Sequence, residues 1–240
     1  MNYLVIILAV ILVIILWYIY INFTSAPTVA SNIDLSTTAL TVPASQIQGG
    51  TSVTYAVGCW IFIKNMPSSP VDVINYVADN TSTSKINIFT LKLSNTNGPT
   101  LTAIIKTGSG NGTDTSIILT NNIPVQSWVY VVVSVSNNYI DSYINGKLVN
   151  STPMSNGVYT PTFPTNTSNG PTFISPNAGN ASLPIVITGL SRWNTPLDPQ
   201  TVWGYYSQGN GNALQSMLGA SYHLDLVFKK DADVRNWSLL

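Results

Sequence analysis

The side chains that could perform acid–base, nucleophilic or metal chemistry are few in this sequence. All nine acidic residues are aspartates, and the chain has one histidine, His223, and one cysteine, Cys59. Glycoside hydrolysis generally needs two carboxyl groups at a fixed separation, and no two of Asp72, Asp79, Asp114 and Asp141 share a recognisable motif. A Ser-His-Asp triad would have to use His223, which no nucleophile-elbow motif accompanies. The sequence therefore predicts a protein that is not an enzyme and has no catalytic residues.

A resident cofactor is also not predicted. One cysteine and one histidine cannot form a disulfide framework or a Cys/His zinc site. Cys59 lies within a β-type run beside Trp60, which is typical of a buried structural thiol.

Aromatic side chains offer a different kind of chemistry, because their ring faces can stack on sugars. Tyr159, Trp203 and Tyr205 are candidates for such contacts. In an all-β domain most aromatic residues belong to the core, and the core interpretation is the preferred one for these three.

The low and balanced charge of the chain argues against nucleic acid as a partner. The chain has 9 basic and 9 acidic residues, and charged residues make up 8% of the 240, against roughly 25% in an ordinary soluble domain. A basic surface that would hold nucleic acid through its phosphates is therefore not expected.

The amino-terminal segment predicts a membrane anchor. Residues 3–21 contain no charge, glycine or proline, and as a helix they would reach roughly 28 Å, close to the ~30 Å of bilayer hydrocarbon. A cleaved signal peptide is the alternative, but the apolar run is long and no basic residue precedes it. The hypothesis is a single-pass membrane protein anchored by residues 1–21, with these residues facing lipid: Leu4, Ile7, Ile11, Ile14, Trp17, Tyr18 and Ile21.

The rest of the chain divides by composition. Residues 22–50 are rich in Ser, Thr, Ala and Pro and predict a spacer with an edge strand at 39–42. Residues 51–222 have short β-branched and aromatic runs separated by turn residues, which is typical of one all-β sandwich. Residues 223–240 form an apolar and charged tail, interpreted equally as a solvated strand or as a segment that docks on a neighbour.

The clearest strand is 127–135, whose two faces are both apolar, so we expect it at the centre of a sheet with Trp128 in the core. Asn145-Gly146 suits a type I′ hairpin turn between strands 139–144 and 147–149. Asp198 and Pro199 predict the start of a helix that passes through Trp203 and Tyr206 and ends near Gly209. Further strands are predicted at 53–63, 73–78, 86–93, 101–107, 115–120, 172–175 and 185–193.

Three motifs in this order resemble a known family. They are the early run around Trp60, the run from Trp128 to Asn145-Gly146-Lys147, and the closing strand and helix at 189–209. The chain resembles the concanavalin A-like lectin/glucanase superfamily, in particular its laminin-G-like and pentraxin-like branches. The resemblance implies a jelly roll of two antiparallel sheets with Trp60 pointing inward, and it transfers no function by itself.

The same resemblance raises the question of calcium, which such domains often hold at a sheet rim through oxygen ligands. Asp79, Asn80 and Asp114 lie in predicted loops and are the candidate ligands. Loop Asp and Asn residues usually satisfy turns, and no ligand set follows from their spacing.

Two hypotheses about function remain. In the first, the protein is a non-catalytic tether between a lipid bilayer and a protein shell, since a single span followed by such a domain resembles virion proteins of large DNA viruses. It would then be a minor capsid or membrane-associated component at the interface between the internal membrane and the capsid. In the second, it is a membrane-anchored lectin that binds glycans.

Overall fold

The computed structural model describes residues 3–22, 27–79, 85–96, 98–110, 112–160, 171–176, 183–210, 224–230 and 233–239. The chain divides into two compact units, Met1–Asn210 and Gly211–Leu240. His223 lies outside the described residues.

Helix α1 spans Tyr3–Asn22, where the sequence predicts a helix. Its described side chains, those of residues 7–16, are apolar and exposed, among them the predicted anchor residues Ile7, Ile11 and Ile14. Among the described residues, no helix is long and apolar enough to cross a membrane. The remaining anchor residues have side chains outside the description: Leu4, Trp17, Tyr18 and Ile21.

Thirteen strands of the first unit form a two-sheet antiparallel sandwich within the described residues, consistent with the predicted jelly roll. The strands are β1 (Thr28–Ala30), β2 (Ile33–Asp34), β3 (Thr41–Val42), β4 (Tyr55–Ile63), β5 (Val71–Asp79), β6 (Lys85–Ser94), β7 (Thr100–Thr107), β8 (Thr113–Thr120), β9 (Trp128–Val135), β10 (Tyr139–Ile144), β11 (Lys147–Pro153), β12 (Thr172–Ile174) and β13 (Ile185–Trp193). The first sheet has the order β1-β13-β4-β9-β10-β11, with β2 also paired to β13, and the second has the order β3-β12-β5-β6-β7-β8. A 3-10 helix, Ala44–Gln46, follows β3, and helix α2, Pro199–Ser207, follows β13.

The main core lies between the two sheets. It is formed by every second side chain of the strands, because alternate side chains point inward. On β7, Leu101, Ala103 and Ile105 are buried while the residues between them are partly exposed, as expected when successive side chains point to opposite faces. The central strands β4 and β9 are buried on both faces. The predicted central position of β9 is therefore confirmed, since it pairs with both β4 and β10.

The outer face of the first sheet carries a second apolar cluster, which α2 covers. This cluster contains Trp60, Tyr130, Val132 and Val202 of α2. The predicted inward orientation of Trp60 is wrong, because its neighbours Cys59 and Ile61 face the core between the sheets and alternation turns Trp60 to the other side. Trp128 is also on this outer face, where it is only partly buried against Phe62.

Residues 22–50 are more than the predicted spacer. Strands β1 and β2 pair with β13, and β3 pairs with β12. Leu35, Leu40 and Val42 are buried in the main core. The segment reads as a spacer because its strands are only two or three residues long and leave little periodicity.

A buried arginine fastens this segment to the sandwich. Arg192 on β13 is 2% exposed, and its guanidinium donates to the backbone oxygens of Gly49 at 2.7 Å and Ser52 at 3.1 Å. The oxygens of Gln48 and Gly50 lie at 3.3 and 3.4 Å from the same group. The cation also lies 5.4 and 5.2 Å from the ring centroids of Tyr55 and Tyr76. Burial lowers the pKa of Arg192.

The second unit contains a β-hairpin. Strands β14 (Leu224–Lys230) and β15 (Asp233–Leu239) pair antiparallel, with Leu224 opposite Leu239 and Lys230 opposite Asp233. The described residues of the predicted tail are therefore two paired strands, and whether the tail docks on a neighbour stays a prediction.

Candidate functional site

The Asn145-Gly146 turn between β10 and β11 provides a rigid base for the site. Asn145 has φ of 50° and Gly146 has φ of 76°, which are the positive angles that the predicted type I′ turn requires. The backbone N–H of Asn145 donates to the oxygen of Tyr130 at 2.8 Å. The side-chain Oδ1 of Asn145 accepts from the N–H of Tyr130 at 2.9 Å. These two bonds fix the turn, and the side chain of Asn145, to strand β9.

Helix α2 lies against this turn, and its start is capped as the sequence predicts. The carboxylate of Asp198 accepts from the N–H groups of Gln200 at 2.9 Å and Thr201 at 3.0 Å. The Thr201 hydroxyl also donates to Asp198 at 2.6 Å. The hydrogen bond from that hydroxyl is the main reason why the pKa of Asp198 is lowered. Val202 of α2 is fully buried, so the helix is held to the sheet at both its cap and its apolar face.

A series of aromatic contacts leads from the sheet to the surface. The rings of Trp60 and Tyr206 stack with centroids 5.6 Å apart, and Tyr206 contacts Trp203 at 5.4 Å. Trp203 is 49% exposed, so its ring is supported by Tyr206 while much of its surface is open to solvent.

Gly146 is required where the turn meets these rings. A Cβ at this position would lie 2.8 Å from Cε3 of Trp203 and 3.0 Å from Cβ of Tyr206. Any other residue would therefore displace the aromatic side chains as well as strain the turn.

The β10–β11 hairpin and α2 line an open cleft of about 450 Å³, which we call the Trp203 cleft. Its lining residues are Ile144, Asn145, Lys147, Val149, Trp203 and Tyr206. An exposed indole face, a fixed amide and an ammonium group stand around one concave surface. This combination suits a ligand that has both an apolar face and polar edges, and a sugar ring is such a ligand.

The three aromatic residues predicted from the sequence have different environments. Tyr159 is buried in the main core, and Tyr205 packs on Trp193 with centroids 5.1 Å apart. The preferred core interpretation is therefore right for Tyr159 and wrong for Trp203. The sequence indicates Asn145 and Lys147 as hairpin residues and not as parts of a site, because it does not reveal that α2 lies beside the turn.

Structural contacts engage the described aspartates Asp34, Asp114, Asp141 and Asp198. Asp34 pairs with Lys64 and Asp114 with Lys106. Asp141 accepts from the Ser151 hydroxyl, and Asp198 caps α2. Among the described residues, no group of three or more His, Cys, Asp or Glu side chains stands where it could hold a metal ion.

Two of the three candidate calcium ligands have side chains outside the described residues. Asp114 is in an ion pair, while the side chain of Asp79 and the whole of Asn80 lie outside the description. Cys59 is a buried free thiol, and burial raises its pKa to about 12, which agrees with the predicted structural role.

Comparisons with known proteins agree with this architecture. A laminin G-type family model, described as the concanavalin A-like lectin/glucanases superfamily, matches residues 34–203. The receptor binding domain of botulinum neurotoxin C/D mosaic serotype is similar in structure, with a TM-score of 0.53, 14% identity, and coverage of 78% of this chain and 44% of that one. The botulinum neurotoxin serotype D binding domain has a TM-score of 0.52, 14% identity, and coverage of 75% and 43%.

The chain spans less than half the length of these two solved structures. At such low identity the similarity concerns the fold. A search of curated proteins finds no matching sequence.

Proposed function

Because this chain belongs to the concanavalin A-like lectin/glucanase superfamily, we propose that it is a non-catalytic binding protein whose ligand is a carbohydrate held in the Trp203 cleft. The observation that carries the proposal is the half-exposed indole of Trp203 on the wall of a concave surface. An exposed indole leaves apolar surface in contact with water, which is unfavourable. A ligand that covered the open face of the ring would remove this surface from water.

The geometry suits a sugar ring. The C–H face of a pyranose could stack on Trp203, and its hydroxyls could pair with the amide of Asn145 and the hydroxyl of Tyr206. The rigid turn and the capped helix hold these groups in place before the ligand arrives, which reduces the entropic cost of binding. The botulinum neurotoxin receptor binding domain offers an example of a similar fold in a binding protein.

The test is saccharide binding by the full-length protein in mild detergent, measured on a glycan array and then by calorimetry. We expect Trp203→Ala to weaken binding by roughly tenfold or more, because the stacking surface is lost. Tyr139 is the matched control, since it is 50% exposed and does not line the cleft. Tyr139→Ala should bind as the wild type does.

Two results would contradict the proposal. One is the absence of saturable binding to any saccharide on the array. The other is equal affinity of the Trp203→Ala and wild-type proteins for the same saccharide.

A second candidate function concerns α1, and one observation favours it. Residues 7–16 of this helix are apolar on all sides and exposed, whereas a helix on a protein surface normally has a polar face. We propose that α1 anchors the protein in a lipid bilayer, and that the sandwich then contacts a protein shell, as in the tether predicted for a virion of a large DNA virus.

Extraction of cell membranes with alkaline carbonate tests the anchor. The full-length protein should stay with the membranes, and a variant without residues 1–21 should be released while retaining its β-type circular dichroism. Release of the full-length protein would rule out the anchor. The shell contact requires its own test, which is cross-linking of the intact protein within virions and identification of the neighbours.

A further inference from the structure

The polar groups of the Trp203 cleft differ in what they can offer a ligand. The Oδ1 atom of Asn145 accepts the Tyr130 N–H, so this contact identifies the amide nitrogen as the group facing away from β9. Lys147 has three donors and no acceptor. The indole N–H of Trp203 can only donate, and the Tyr206 hydroxyl can both donate and accept. The cleft is therefore rich in donors and suits a ligand rich in acceptors.

The positive charge of the cleft also favours a ligand rich in hydrogen-bond acceptors, in particular an anion. Lys147 begins β11 directly after the turn, and its Cα is fixed opposite Ile144. Its side chain is exposed, and none of the ion pairs among the described residues includes it. No carboxylate lines the cleft. One positive charge at the edge of a partly apolar surface attracts an anion more effectively than a charge in open water would.

We infer that the carbohydrate in the Trp203 cleft is acidic, with its ring on Trp203 and its carboxylate or sulfate ester on Lys147 and the amide of Asn145. This inference rests on the function proposed above. The carboxylate and the sulfate ester share one chemistry, an anionic group that accepts several hydrogen bonds. They are distinguished by experiment.

The experiment uses the full-length protein and an array in which each core saccharide is present in neutral, sialylated and sulfated forms. We expect at least one acidic form to bind roughly three- to tenfold more tightly than its neutral parent, the range for a partly exposed charge contact. High salt should reduce this preference, because it screens exposed charges. The arm that binds more tightly, sialylated or sulfated, identifies the anionic group.

Lys147→Gln separates this inference from the proposed function. It should lower the affinity for the acidic forms to that for the neutral parent, whereas Trp203→Ala should weaken binding of both. Lys92→Gln is the matched control, because Lys92 lies on β6 of the other sheet, and it should keep the preference.

The outcomes are distinguishable. Neutral saccharides bound as tightly as acidic ones, or an acidic preference that survives Lys147→Gln, would overturn the inference and leave the proposed function standing. A wild-type protein that binds no saccharide of any form would overturn both.

Discussion

Replacing Arg192 by Met tests whether a single buried cation holds residues 48–52 to the sandwich. The two short hydrogen bonds, to the oxygens of Gly49 and Ser52, are each worth about 1.5–3 kcal/mol as bonds to a charged group. Their sum is about 3–6 kcal/mol. The contacts at 3.3 and 3.4 Å add little because they are at the limit of hydrogen-bond length.

The opposing effect is desolvation. Removing a buried charge returns part of the free energy that its burial costs. Gly49 is exposed and Ser52 partly exposed, so water can replace part of what their carbonyls lose. We therefore expect Arg192→Met to lower the free energy of unfolding by about 3 kcal/mol, near the low end of the range. For a domain of this size that corresponds to a fall in Tm of about 6–12 °C.

Two variants show which property of Arg192 matters. Arg192→Lys keeps the charge but loses the planar fork that contacts several oxygens, so it should recover less than half of the loss. Lys64→Met removes a cation that is partly exposed and paired with Asp34, and it should cost less than about 1 kcal/mol.

The measurements are urea unfolding followed by tryptophan fluorescence, and hydrogen exchange resolved to peptides. Exchange in Arg192→Met should increase first at residues 48–52. A stability within about 1 kcal/mol of the wild type, or unchanged exchange in this loop, would refute the reasoning.

Two further predictions concern titratable groups. Because Cys59 is buried and its pKa is raised to about 12, we expect its thiol to be inert to disulfide reagents near neutral pH and to react only in denaturant; rapid labelling of the native protein would contradict its burial. The pKa of Asp198 is lowered from 3.8, so its ionised form stabilises the folded state above that pH, and this contribution is lost as the pH falls through the folded-state pKa. The acid-induced loss of stability should be smaller in Asp198→Asn, which keeps a capping side chain without a charge, and identical acid profiles for the two proteins would contradict this.

Much of the fold follows from local signals in the sequence. The bounds of β10 and β13 match the predicted strands, because both are continuous runs between strong turn residues. Asn145-Gly146 and Asp198-Pro199 specify their turn and helix start through backbone angles and capping that involve only neighbouring residues. A motif of paired carboxylates would also consist of residues close together in the chain, so its absence can be seen in the sequence alone.

The tertiary structure alone decided which aromatic residue remained exposed and which groups met in one cleft. No local pattern in the sequence distinguishes Trp203 from Tyr205 and Tyr159. The packing of α2 on the outer face of the first sheet leaves Trp203 exposed to solvent. The same packing explains why Trp60 is buried although it does not face the main core. Its side chain lies on the outer face of the sheet, and α2 covers that face. Asn145 and Lys147 are more than 50 residues from Trp203 in the chain. Their meeting depends on contacts between distant segments, which hydrophobic periodicity does not encode.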